Sequence, residues 1–182
     1  MTTEQEFDII TARCREIFIN KMKDYGPSWR TMRPISVVNQ LFIKAKRIRE
    51  IETTGVNLVG EDTNGEFMAI VNYSVMGLIQ EEIGYADTVD LSAAEATSYY
   101  DKYIAQARAL MCRKNHDYGE AWREMDKEAI TDLIYNKILR NKTILQNNGK
   151  TLVSEGVEGN YFDMINYAVF NLIKAEELHE NQ

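Results

Sequence analysis

Apolar residues recur at three- and four-residue intervals through most of this chain, with polar residues between them. That period gathers the apolar side chains on one face of a helix. Phe7, Ile10, Cys14, Ile17 and Phe18 form such a stripe, followed by Met22, and predict a helix over about 3–23. Gly26-Pro27 cannot continue it. Val37, Leu41, Ala45 and Ile48 mark a second helix, expected from an N-cap at Ser36 to about Glu52. Residues 53–64, with Gly55 and Gly60, read as a loop. A third helix, near 66–82, is apolar around much of its circumference (Phe67, Ile70, Val71, Val75, Leu78, Ile79), which places it in the middle of a bundle.

After a connector over 84–91, the same pattern starts again. Ser92-Ala93-Ala94-Glu95 reads as a capping box. Asp8, Ala12, Arg15 and Lys21 return 93 positions later as Asp101, Ala105, Arg108 and Lys114. The turn Lys21-x-x-Asp24-Tyr25-Gly26-x-x-Trp29-Arg30 returns as Lys114-x-x-Asp117-Tyr118-Gly119-x-x-Trp122-Arg123, and Lys44 and Arg47 return as Lys137 and Arg140. One inserted residue then shifts the offset to 94, so that Gly55, Leu58, Val59 and Glu61 match Gly149, Leu152, Val153 and Glu155. Asn72 and Tyr73 match Asn166 and Tyr167. Helices are expected over about 127–146 and 158–179. The fold class that follows is all-α: two tandem three-helix repeats, 1–83 and 92–182, packed as a pseudo-two-fold helical bundle. A single three-helix unit of this length is marginal alone, and burying the two most apolar helices against each other makes one compact domain.

Composition narrows the function classes. A net charge of −7 weighs against an extended nucleic-acid surface. No apolar run approaches a membrane span, and the acidic start lacks a signal core, so a cytoplasmic protein is expected. Cys14 and Cys112 lie among apolar neighbours and read as buried free thiols.

The two repeats differ in their acids. Glu128, Asp132, Asn136 and Arg140 follow one another at four-residue steps, where the first repeat has Ile35, Asn39, Ile43 and Arg47. Asp163 interrupts the apolar run Tyr161-Phe162-Asp163-Met164-Ile165 and is matched by Ala69. A carboxylate in such a place needs a partner or a metal. Glu155, eight residues earlier, would fall within about 80° of the same face of a regular helix. With Asp132 from the preceding helix, three oxygen ligands could hold Mg²⁺. The competing reading makes Asp163 an ion-pair partner of Lys137 or Arg140. Lys114, Arg123, Lys137 and Arg140 could gather phosphate oxygens, or could be ordinary solvated cations. Tyr118 and Trp122 could stack on a base or plug the turn. Asp117 could cap the turn beside Gly119, and Asn166 could bond across the bundle or touch a substrate.

Lys-x-x-Asp-Tyr-Gly-x-x-Trp-Arg, Lys-x-x-Arg and Glu-x(7)-Asp-x-x-Asn-Tyr together resemble the nucleotide modification associated domain 1 family, once per repeat. The resemblance implies a helical nucleotide-binding protein related to the MazG-like nucleoside triphosphate pyrophosphohydrolases, which hold magnesium on helix-borne acids. On that reading Asp132, Glu155 and Asp163 would hold the metal. Lys137, Arg140, Lys114 and Arg123 would grip phosphates, and Tyr118 or Trp122 would face the base. Two acids common in the family are replaced here by Asn136 and Gly159. A non-catalytic module binding a nucleotide or a partner protein is therefore the alternative, and homo-oligomers are compatible with either.

Overall fold

The computed structural model describes residues 1–154 and 156–181, without the side chains of 178 and 179. Among these residues there are six α-helices and no strand: α1 (Thr3–Tyr25), α2 (Pro34–Thr54), α3 (Thr63–Ile83), α4 (Ala93–Tyr118), α5 (Lys127–Gln146) and α6 (Val157–Glu180). Short 3₁₀ turns at Ser28–Thr31 and Ala121–Glu124 follow α1 and α4. All six helices lie where the periodicity predicts them. The expected capping box at Ser92 forms, with the hydroxyl accepting from the Glu95 amide and the Glu95 carboxylate accepting from the Ser92 amide. Thr2 and Gln5 do the same for α1. Ser36 does not cap α2. The helix starts two residues earlier, because Pro34 has no N–H to leave unsatisfied and its fixed φ suits the first turn.

The repeats are related by a two-fold operation, visible in which helices meet. α3 packs on α6 through the bundle centre, α2 on α5 and α1 on α4, so each helix faces its own counterpart. Reciprocal contacts make the symmetry explicit. Arg15 grips Asp101 with two hydrogen bonds (2.7 and 3.0 Å), and Arg108 grips Asp8 at the same two distances. Residue i meeting j while j meets i is the signature of an isologous dimer interface, here within one chain. These pairs are exposed and fix orientation more than stability. The core itself is apolar: Phe7, Phe18, Leu41, Ile70, Val75 and Ile79 from the first repeat join Tyr100, Met111, Ile134, Tyr161, Ile165 and Ile173 from the second.

Buried amides tie the layers together. Asn72 donates to the Cys14 carbonyl at 3.0 Å, and Asn166 donates to the matching carbonyl of Ala107 at 3.2 Å. Gln80, fully buried, donates to the carbonyls of Trp29, Arg30 and Met32 and so holds the first turn motif against α3. In the second repeat Lys174 does this by donating to the Arg123 carbonyl at 2.8 Å. Cys14 is buried as expected, but Cys112 is only half-buried, and both are free.

Candidate functional site

The repeated turn motif ends a helix and seats an indole. α4 stops at Tyr118 because Gly119 adopts the left-handed conformation (φ 60°, ψ 35°), which costs a residue without Cβ nothing. The chain then turns Trp122 inward, flat against Phe170 with centroids 4.2 Å apart and 4° between planes. The Arg123 guanidinium also lies over the indole, 4.4 Å from the ring centroid. Trp122 is thus a packing plug, not a free stacking platform. Arg123 is equally committed: it meets Glu6, Glu120 and Glu177 and donates to the Thr3 hydroxyl. Three carboxylates already surround it, so the phosphate role expected of it is taken by structure. Its counterpart Arg30 is buried and bound by Asp90, Gln80 and the Gly84 carbonyl.

Asp163 sits at the junction of two adjoining cavities. One is a cleft of about 670 Å³ between α5, the α5–α6 loop and α6, lined by Asn136, Lys137, Arg140, Thr151, Asn160 and Asp163 among others. The other is a slot of about 300 Å³ under the turn motif, lined by Lys114, Tyr118, Trp122, Asp163, Asn166, Tyr167 and Phe170. Asp163 bonds Lys114 at 2.9 Å on the slot side and Lys137 at 3.1 Å. Its side chain is 16% exposed, so the two ammonium groups are what make its burial tolerable. Burial pulls the Lys114 ammonium down, yet the Asp163 bond and charge more than offset this and leave its pKa raised. Burial also pushes the Tyr167 phenol up, with Asp163 adding to it.

The proposed magnesium ligands are not assembled among the described residues. Asp132 is largely exposed, meets Arg49 of α2 at 3.2 Å, and lines neither cavity that Asp163 lines. The four-residue ridge puts it a turn too early on α5, on the side facing α2. Glu155 lies outside the described residues. No group of three acidic, histidine or cysteine side chains with metal-ligand geometry occurs among the described residues. Among the described residues Asp163 pairs with two lysines, and its cavities are lined by no second carboxylate. Asp117 does not cap the turn. It is exposed, and among the described residues it meets only the neighbouring His116 ring, at 3.1 Å. Tyr118 is 73% exposed and stands at the edge of the slot. Asn166 uses its amide N–H on the Ala107 carbonyl, and among the described residues its Oδ1 has no donor.

The first repeat holds the same parts with the acid moved by one turn. There Glu66, matched by Asn160, faces Lys44 at 3.6 Å and Arg47 at 3.5 Å. Position 69 carries alanine where the second repeat has Asp163. The acid thus meets the lysine of Lys-x-x-Arg in both repeats, and its second partner is Arg47 in the first and the turn-motif lysine Lys114 in the second. Sequence spacing showed both acids but not this change of second partner.

No curated protein and no solved structure matches the chain. The model of nucleotide modification associated domain 1 matches twice, over residues 21–80 and 114–175, each match beginning at the turn-motif lysine and ending within the third helix of its repeat. Those two segments cover most of the chain, which is a tandem member of the nucleotide modification associated domain 1 family.

Proposed function

We propose that the second repeat binds a nucleotide, its phosphates in the cleft beside Lys137 and Arg140 and its base in the slot between Tyr118 and Tyr167. One observation carries this reading: Asp163 lines both cavities, with Lys137 and Arg140 on the lining of the cleft and Tyr118 and Tyr167 on that of the slot. Arg140 can give phosphate oxygens two parallel N–H bonds, and Lys137 a compact positive charge. Asp163 would accept from a sugar hydroxyl or keep Lys114 and Lys137 in place. The membership of a family described by nucleotide modification agrees with this ligand class.

The reading stops at binding. Cleavage between α and β phosphates by MazG-like chemistry would draw on magnesium held by several carboxylates, and the described acids do not converge in that way. Calorimetry with a panel of ribo- and deoxynucleoside mono-, di- and triphosphates tests the binding. Loss of a charge-assisted bond in Lys137→Met or Arg140→Met weakens affinity about tenfold or more. An absence of binding across the panel overturns the reading. Release of pyrophosphate with magnesium, abolished by Asp163→Ala, would restore the hydrolase instead.

A further inference from the structure

The two repeats each carry a chamber under the turn motif, and the first one is the larger. It measures about 730 Å³ and is walled by Phe18, Trp29, Met68, Tyr73 and Met76, with Lys21 on its lining. Its lining positions match those of the second-repeat slot, Lys21 for Lys114, Trp29 for Trp122 and Tyr73 for Tyr167. The difference lies in what answers the lysine. Lys114 has Asp163, whereas Ala69 stands at the matching position beside Lys21. The acid on that helix, Glu66, is held by Lys44 and Arg47. Among the described residues Lys21 makes no ion pair. Trp29 is 7% exposed, and among the described residues its indole Nε1–H, like that of Trp122, has no acceptor. Asn72 is engaged elsewhere: its oxygen accepts from Tyr100 at 2.7 Å, and its amide donates to the Cys14 carbonyl at 3.0 Å.

An apolar, aromatic- and methionine-walled chamber with a surplus of donors suits a flat apolar body bearing an acceptor. We propose that the first repeat is a second ligand site, for a small molecule with a flat apolar body and one anionic group. The anion pairs with Lys21 and the body lies among Trp29, Tyr73 and the methionines. Asp24 also lines this chamber; it is exposed, makes no ion pair with Lys21, and weakens the anion's hold. The proposal uses different residues from the nucleotide site and stands or falls separately from it.

Calorimetry with 2-naphthoate and its uncharged analogue 2-naphthamide tests it on the whole chain. The expected result is one naphthoate bound per chain, at least about tenfold tighter than the amide, the worth of one charge-assisted bond. Ala69→Asp, which imports the neutralising acid of the second repeat, brings naphthoate down to the affinity of the amide. Lys21→Met, at an exposed position, does the same and decides the matter should Ala69→Asp fail to fold. Asp24→Asn tightens naphthoate binding. Equal affinity for the two probes, no binding of either, or naphthoate affinity unchanged in Lys21→Met overturns the proposal.

Discussion

Among the described residues, duplication has left the buried amide oxygen of Asn166 without the donor that its counterpart has. In the first repeat, Asn72 Oδ1 accepts from the Tyr100 hydroxyl at 2.7 Å. The two-fold relation puts Phe7 where a second tyrosine would serve Asn166, and Asn166 Oδ1 is accordingly buried and unsatisfied. Tyr100→Phe keeps the ring and removes only the donor, so its cost is that of stranding Asn72 Oδ1, about 1–3 kcal/mol. Phe7→Tyr supplies the missing donor and is expected to stabilise by about 1 kcal/mol, a rise of roughly 2–4 °C in Tm for a chain of this size. Phe7 and Tyr100 are both fully buried, so the two substitutions compare like with like. Burial holds the Tyr100 phenol well above its usual pKa, which keeps it a donor at any neutral pH. Urea unfolding followed by far-UV circular dichroism reads both changes as midpoint shifts at constant slope. An unmoved midpoint in Tyr100→Phe, or a lowered one in Phe7→Tyr, would refute the pseudo-symmetric account of these amides.

Other consequences follow from single contacts. A Cβ at Gly77 would lie 2.7 Å from Tyr161 Cε1, so Gly77→Ala destabilises by about 1–3 kcal/mol through overpacking, despite alanine's better helix propensity; thermal melts check the sign. Arg30→Met strands Gln80 Oε1 and the Gly84 carbonyl, at about 1–3 kcal/mol, and should raise proteolysis at the 84–91 connector. Burial, with Glu158 adding to it, raises the Glu81 carboxyl above its usual pKa. The unfolded chain then loses that proton first, so this group's contribution falls as pH rises from the unfolded to the folded pKa. Glu81→Gln is therefore expected to stabilise at pH 7 and to lose that advantage below the ordinary carboxylate range, as read from urea midpoints against pH. Burial pushes the Cys14 thiol up to about 12 and raises Cys112 as well, so neither should react readily with a thiol reagent at neutral pH in the native state.

The helices were legible because periodicity, caps and glycines act locally. The apolar circumference of α3 and α6 predicted their central place, and the Ser92 box its own geometry. The start of α2 was misplaced because a proline at N1 can begin a helix without any capping side chain. In the candidate site, the pairing of Asp163 with Lys137 was among the readings open from sequence, and Lys114 was not. Arg123 and Trp122 looked like ligand groups because a motif records that residues recur, not which way they face. The structure turns both inward to fasten the turn to α1 and α6.

By itself, the order of residues determined that this is a duplicated all-helical chain, since an offset of 93 or 94 positions carries identity and spacing together. It also determined which side chains could matter. Which of them meet was decided only by tertiary packing. Moving an acid one turn along a helix, from the Glu66 position to that of Asp163, keeps the lysine of Lys-x-x-Arg as a partner but trades the arginine for the turn-motif lysine, because helix rotation converts a step in sequence into a different neighbour in space.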